Sequence, residues 1–194
     1  RGRREFIPLP PGSQLKDQDF SHASVAGEVA ENVSLSASNF SHSRFTGMVF
    51  RRVRIHGSQL SACVFDDCVF QSCFFSGADF AHSHFRACRM SDVSFEGCDL
   101  SHMRLEGCAL AACTLAETSL AGAWLLKTRL DSLALRTSSL AGGRIMECAL
   151  ARIGFARCDL SGLLLEKSVC RELELSSCTL AHARMLGCEC LDLG

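Results

Sequence analysis

Three features that usually reveal a function are missing from this chain of 194 residues. No apolar run approaches the length of a membrane-spanning helix, and no segment resembles a secretory signal. Basic and acidic residues nearly balance, 20 against 21, so the chain has no strong net charge that would attract nucleic acid or a membrane surface. No GxSxG, P-loop or HExxH motif occurs. We therefore expect no membrane association, no nucleic-acid partner and no enzymatic activity.

What the chain does contain is a period of five residues that never slips. Every fifth residue from Phe20 to Cys190 is apolar, and 31 of these 35 positions hold Leu, Phe, Ile or Met. Two residues before each lies a second, mostly small series, as at Cys63 and Cys68. Helices repeat at 3.6 residues and strands at 2, so neither element alone produces this register. A sustained fixed period indicates a solenoid, whose units bury their apolar side by stacking on neighbours.

The order of a small residue, often a polar one, then Leu or Phe resembles the pentapeptide-repeat family. It is clearest at residues 78–82, 98–102 and 158–162, and the resemblance covers roughly residues 18 to 192. It implies an all-β fold, a right-handed quadrilateral parallel β-helix with four pentapeptides to a coil. We expect an extended N-terminal leader over residues 1–17 and about nine uninterrupted coils over residues 18–194.

The two series predict the core of such a rod. Large residues point inward and stack on residues 20 positions away, at about the 4.8 Å spacing of neighbouring strands. This core ladder consists of Phe65, Phe70, Phe75, Phe80, Phe85, Leu100, Leu120 and Leu140. The 13 cysteines also fall on inward positions, 11 in the small series and Cys170 and Cys190 in the large one. Since buried Cys behaves as a small hydrophobe, we predict free, reduced thiols and a cytoplasmic protein.

A further period of 20 gathers most histidines on one face. The set is His22, His42, His82, His102 and His182, with Asp79 and Asp99 three residues before two of them. Ser or Ala follows every core residue of this face, so we expect a smooth secondary contact surface. A metal ladder is the alternative, but a ladder presents parallel ligands where a metal ion needs converging ones. We favour the interpretation that these histidines are solvated side chains at turns. We therefore predict no metal and no cofactor.

The next face carries apolar side chains at phases that should point outward. They are Trp124, Leu126, Met146, Leu164 and Leu186, with Leu163 beside them and Arg144 and Arg184 at the rim. The only Trp of the chain, facing outward among apolar neighbours and arginines, is typical of a binding hot spot. Scattered, tolerated surface residues are the alternative interpretation.

Two non-catalytic functions fit this sequence. The first is a rigid interaction scaffold that binds another protein or a second copy of itself. The resemblance includes injected bacterial effectors, which would be delivered into a host cell, and multidomain adaptors. The second is a DNA mimic that binds DNA gyrase, like the quinolone-resistance members of the family. Because the only acidic column, Asp19, Asp79, Asp99 and Asp159, shares its face with the histidines, we place the gyrase function second.

Overall fold

The computed structural model describes residues 9–193, in which every regular element is a β-strand. Each strand pairs in parallel with the strand 20 residues away, so that Phe75, for example, lies opposite Phe95. The chain therefore forms a parallel β-solenoid of about nine coils, and the predicted fold class is confirmed. At about 4.8 Å per coil the rod is roughly 40 Å long. Residues 1–8 of the predicted leader lie outside the described residues.

Each coil has four faces, with one pentapeptide on each. Face 1 consists of single bridges between residues 20 apart, from Asp19 paired with Asn39 to Asp159 paired with Thr179. Face 2 contains nine three-residue strands: Ser24–Ala26, Arg44–Thr46, Val64–Asp66, His84–Arg86, Arg104–Glu106, Trp124–Leu126, Arg144–Met146, Leu164–Glu166 and Arg184–Leu186.

Faces 3 and 4 carry the remaining strands. Face 3 contains Val29–Glu31, Val49–Arg51, Val69–Gln71, Arg89–Ser91, Ala109–Ala111 and Glu189–Leu193. Face 4 contains Gln14–Lys16, Ser34–Ser36, Arg54–His56, Phe74–Ser76, Ser94–Glu96 and Thr114–Ala116. Three longer strands continue from face 3 onto face 4: Arg129–Arg136, Ala149–Ala156 and Val169–Ser176.

A residue in the left-handed conformation forms every corner between two faces. Every fifth residue from Gly12 to Gly187 has a positive φ, between 48° and 81°. For residues other than glycine this conformation costs about 1–2 kcal/mol, and Asn, Asp and His tolerate it best. The corner N–H group points along the rod axis, and that of His82, for example, donates to the Ser101 carbonyl at 2.9 Å. The hydrogen bonds between coils therefore continue through the corners.

The large apolar series fills the centre of the rod. Phe65, Phe80 and Phe85 are each 1% exposed, and the rings of Phe65 and Phe85 stack with centroids 4.5 Å apart. The other members of the predicted ladder, Phe70, Phe75, Leu100, Leu120 and Leu140, are buried as well. The small series lies beside them, and Cys63 Sγ donates to the Phe40 carbonyl at 2.9 Å.

The solenoid begins earlier than the predicted boundary at residue 18. Gln14–Lys16 already pairs with Ser34–Ser36 on face 4, and Leu15 packs against the core. Leu15 belongs to the apolar series one step before Phe20, so the period itself extends into the segment assigned to the leader.

Inward positions are not buried everywhere. In the last described coil, Leu175, Leu180 and Met185 are 41%, 51% and 48% exposed. They occupy the inward series, but no further described coil stacks on them. Burial of an inward side chain in this fold therefore requires a coil on both sides.

Phe80→Ala should destabilise the protein by about 3–5 kcal/mol, because the ring is buried and its removal leaves a cavity. The matched control is Phe74→Ala, the same change on a ring that is 37% exposed on face 4. It should change the free energy of unfolding by about 0.5 kcal/mol or less. Denaturant unfolding followed by circular dichroism measures both, and equal losses would contradict the assignment of the inward series.

Candidate functional site

Trp124 lies on face 2 between two arginines. The parallel register places Arg104 on the preceding coil and Arg144 on the following one, in the same column as Trp124. Their guanidinium carbons lie 4.7 and 5.6 Å from the centre of the indole ring. Such cation–π contacts contribute about 0.5–1 kcal/mol each at exposed positions. Because the two arginines approach from neighbouring coils on opposite sides, they hold the indole between them.

The other residues of the predicted patch lie on the same face. Leu126 is in register with Met146, and both are half-exposed. Leu164 continues the Trp124 column between Arg144 and Arg184, and Leu186 is 50% exposed. We call Trp124, Leu126, Met146, Leu164 and Leu186 the face 2 patch. It spans four successive coils. In the first column of face 2, which is the one that contains Trp124, arginine alternates with a large apolar residue.

One residue grouped with the patch does not belong to it. Leu163 is only 4% exposed, which corrects the expectation that it lies on the outer surface. It is the residue two positions before Leu165 and therefore belongs to the small inward series. Here a leucine fills the place that alanine or glycine holds in the two preceding coils, at Ala123 and Gly143.

Two depressions follow one another along the corner between faces 1 and 2. This corner holds histidine in five coils but glycine in three successive ones, Gly122, Gly142 and Gly162. The first depression, of about 340 Å³, lies beside Gly122 and Trp124. The second, of about 370 Å³, lies over Gly142 and Gly162. We call the two together the corner groove.

The charges along the groove are all of one sign. Arg104 lines the first depression, and Arg144 and Arg184 line the second, whereas no carboxylate lines either. Within the described residues none of these three arginines has a carboxylate oxygen within 4.0 Å. The groove thus presents three uncompensated positive charges next to the patch.

The arginines in the N-terminal half of face 2 are neutralised instead. Asp66 accepts hydrogen bonds from Arg44 at 2.8 Å and from Arg86 at 2.5 Å. The hydrogen bond from Arg86 lowers the pKa of the Asp66 carboxyl. Only the C-terminal half of face 2 therefore combines free positive charge with exposed apolar side chains.

The histidine corner forms stacked pairs. The rings of His22 and His42 lie 5.1 Å apart and those of His82 and His102 5.0 Å apart, parallel within 8°. Imidazole lone pairs lie in the ring plane, so two stacked rings cannot both point at one ion about 2.1 Å away. No group of three or more potential metal ligands comes together in the part of the chain that the structure describes.

The aspartates of face 1 stabilise turns. Asp79 Oδ1 accepts the Ala81 N–H at 2.8 Å, and Asp99 Oδ1 accepts the Ser101 N–H at the same distance. Asp159 does the same with Ser161 at 3.0 Å, and hydrogen bonds from the Ser161 hydroxyl and, less strongly, from its N–H lower the pKa of the Asp159 carboxyl. Asn39 replaces the aspartate in one coil without loss of the contact. The acidic column thus has a local structural role.

Two family models match consecutive parts of the chain. Pentapeptide repeats (8 copies) match residues 31–67, and the pentapeptide repeat region matches residues 68–145. The chain belongs to the pentapeptide-repeat family. No curated protein matches its sequence. Within residues 9–193 of this pentapeptide-repeat protein, no helix is long and apolar enough to cross a membrane.

Among the solved structures that are similar to this chain are two that match it over most of its length. One is HetL, involved in heterocyst differentiation regulation, from the cyanobacterium Nostoc sp. strain PCC 7120, with a TM-score of 0.51 and 17% identity over 91% of this chain and 86% of HetL. Another is QnrB1, a plasmid-mediated fluoroquinolone resistance protein, with a TM-score of 0.47 and 15% identity over 89% of this chain and 93% of QnrB1. At its 17% identity, the likeness to HetL is one of fold alone.

Two components of the site were not predicted from the sequence. Arg104 covers one side of Trp124, and Gly122, Gly142 and Gly162 open the corner groove. Both could have been found by aligning the sequence at a period of 20, because the first column then reads Arg104, Trp124, Arg144, Leu164, Arg184. The corner column likewise reads His102, Gly122, Gly142, Gly162, His182.

The cysteines of this pentapeptide-repeat protein are unpaired, and ten of the 13 are buried. Burial raises the pKa of the Cys63 thiol to about 12, which suppresses the nucleophilic thiolate. Cys178 and Cys188 are half-exposed and Cys190 is exposed, which corrects the expectation that all lie in the core. These three belong to the last described coil, on which no other described coil stacks.

Thiol titration should separate these groups. In the native protein, an aromatic disulfide reagent should react quickly with Cys190, more slowly with Cys178 and Cys188, and with the other ten only after unfolding. In denaturant without reductant all 13 should react. Cys190→Ser should remove the fast phase alone. Rapid reaction of many thiols in the native state, or recovery of only a few in denaturant, would contradict the inward assignment.

Proposed function

We propose that this pentapeptide-repeat protein is a non-catalytic interaction scaffold, which binds another protein or a second copy of itself through the face 2 patch. One observation carries the proposal: the only Trp of the chain and four further large apolar side chains lie partly or largely exposed on one face of four successive coils. Aromatic anchors surrounded by apolar residues and arginines dominate the energy of protein interfaces.

The rod suits this role because its surface is held in place before any partner binds. Within the described residues, each face 2 strand from Arg44–Thr46 to Leu164–Glu166 is hydrogen-bonded to the strands of both neighbouring coils, and Trp124 is held by Arg104 and Arg144. Side chains that are ordered in advance lose less conformational entropy on binding. A partner would therefore retain more of the free energy gained by burying the patch.

The interior offers little to a substrate. The two internal voids hold about 40 and 20 Å³, enough for one or two waters. The corner groove is open and contains arginines and histidines but no carboxylate or thiol. These features support a binding role in preference to catalysis.

The gyrase-binding alternative has less support. A DNA mimic needs an acidic surface, but the acidic column of face 1 is interrupted by Asn39, Gln59, Ser119 and Ser139. Its aspartates accept N–H groups in turns, and the whole chain carries a formal charge of −1. The reduced core thiols fit the proposal that the scaffold works in the cytoplasm.

The double change Trp124→Ala and Leu126→Ser should weaken self-association or partner binding while leaving the fold intact, because both side chains lie outside the core. Loss of an aromatic anchor costs about 2 kcal/mol, or roughly 30-fold in the dissociation constant. Analytical ultracentrifugation of the purified protein and affinity capture from its native cells measure the two kinds of binding.

The control is the double change Phe74→Ala and Val29→Ser, which removes comparable exposed apolar groups from faces 4 and 3. It should leave association unchanged. If both double variants behave like the parent, the patch is not an interface and the proposal is wrong.

A gyrase supercoiling assay with and without a fluoroquinolone tests the alternative function. That function requires the purified protein to protect gyrase from the drug.

A further inference from the structure

We propose that the corner groove binds an extended acidic peptide segment, with a carboxylate at every third residue and apolar residues between. This inference rests on the proposed interaction function and names the chemistry of the partner. The groove is lined by three arginines without carboxylate partners, and its walls include the indole of Trp124 and the side chain of Leu164. A ligand that complements it must carry negative charge and apolar groups together.

The register sets the spacing of that negative charge. Arg104, Arg144 and Arg184 lie two coils apart in one column, which corresponds to about 9.6 Å between successive arginines. A peptide in the polyproline II conformation repeats every three residues, or about 9.3 Å. Carboxylates at every third position would therefore meet successive arginines. The intervening residues would lie at the height of Trp124 and Leu164.

The geometry favours a peptide over a single-stranded nucleic acid. Proteins that bind single strands expose aromatic faces on which bases stack, whereas both sides of Trp124 already face an arginine. The second column of face 2, which contains Leu126, also places Glu106 and Glu166 near the groove. Their carboxylates would repel a continuous phosphate backbone. Carboxylates at every third residue bring fewer negative charges past these two glutamates than a continuous phosphate backbone does, and their apolar neighbours need no free aromatic face.

The groove depends on three glycines, and the fold does not require glycine at two of them, Gly142 and Gly162. The same corner carries His22, His42, Ala62, His82, His102 and His182 in the other coils, with φ between 54° and 61°. A Cβ atom at Gly142 would meet nothing within 4 Å, and one at Gly162 would lie 3.7 Å from its nearest neighbour. A histidine can therefore be introduced at either position to fill the groove. It would adopt the left-handed conformation that histidine already has at this corner in other coils, which costs about 1–2 kcal/mol.

Because Trp124 is the only Trp and the chain has no Tyr, its fluorescence reports directly on the groove. The probe is a capped peptide with three Glu-Pro-Leu units, titrated into the full chain at low salt. The expected result is a saturable change in Trp124 emission that weakens as salt is added. The corresponding Gln-Pro-Leu and Lys-Pro-Leu peptides, and a peptide of the same composition with its three glutamates together, should bind at least about fivefold more weakly. Each of them loses two or three charge contacts, and one contact contributes about two- to fivefold.

Variants locate the binding. Changing Arg104, Arg144 and Arg184 together to Gln should weaken the acidic peptide by about tenfold or more, since each exposed charge contributes about two- to fivefold. The same triple change at Arg54, Arg89 and Arg129, which lie on faces 4 and 3, removes equal charge and should have no effect. Gly142→His with Gly162→His should block the groove, whereas Ala62→His should not. Circular dichroism verifies the fold of each variant.

Several results would overturn the assignment. They are equal binding of the neutral peptide, equal losses from the two arginine triples, no response to the acidic peptide, or binding of a ten-residue thymidine oligonucleotide in its place. The proposed function is judged separately. If the acidic peptide fails while Trp124→Ala with Leu126→Ser still releases a partner or a second copy, the scaffold stands and only the partner chemistry is wrong.

Discussion

Hydrogen bonds between successive coils hold this rod together, and they require each residue to lie directly beside the one 20 positions away. On face 1 the Phe80 N–H donates to the Asp99 carbonyl at 2.7 Å, and on face 2 the Arg104 N–H donates to the Ser83 carbonyl at 2.9 Å. One inserted residue would move every later side chain out of its column and turn the large series away from the centre. The unbroken period of five follows directly from this requirement.

The left-handed corners limit where variation can occur. Their conformation is repeated every five residues from Gly12 to Gly187, and their side chains project from the edges of the rod instead of entering the core. Glycine is needed for space at Gly122, where an added Cβ atom would lie 2.6 Å from His102 Nδ1. At Gly142 there is room for a side chain. A corner can therefore change from histidine to glycine and become a groove while the coil stays the same.

The candidate functional features of this rod are differences in side chains between positions that the repeat makes structurally equivalent. Along face 2, Asp66 neutralises the arginines of the N-terminal half, whereas the C-terminal half alternates free arginine with Trp124 and Leu164. Because neighbours in a column are about 4.8 Å apart, the spacing of charges on the surface is set by main-chain pairing. The proposed acidic peptide has a matching repeat, so its recognition would require no inserted loop.

The sequence by itself determined the β-solenoid, the inward series from Phe65 to Leu140 and the exposed phase of Trp124, because a strict period leaves each residue type only one face. Burial at the C-terminal end was decided by tertiary structure: Met185 occupies the inward series but is 48% exposed, since no further described coil stacks on it. Tertiary structure also decided that Arg44 reaches Asp66 whereas Arg104 lies against Trp124. Both arginines lie in the same column of face 2, and the side chains that the next coil offers within reach select the partner of each.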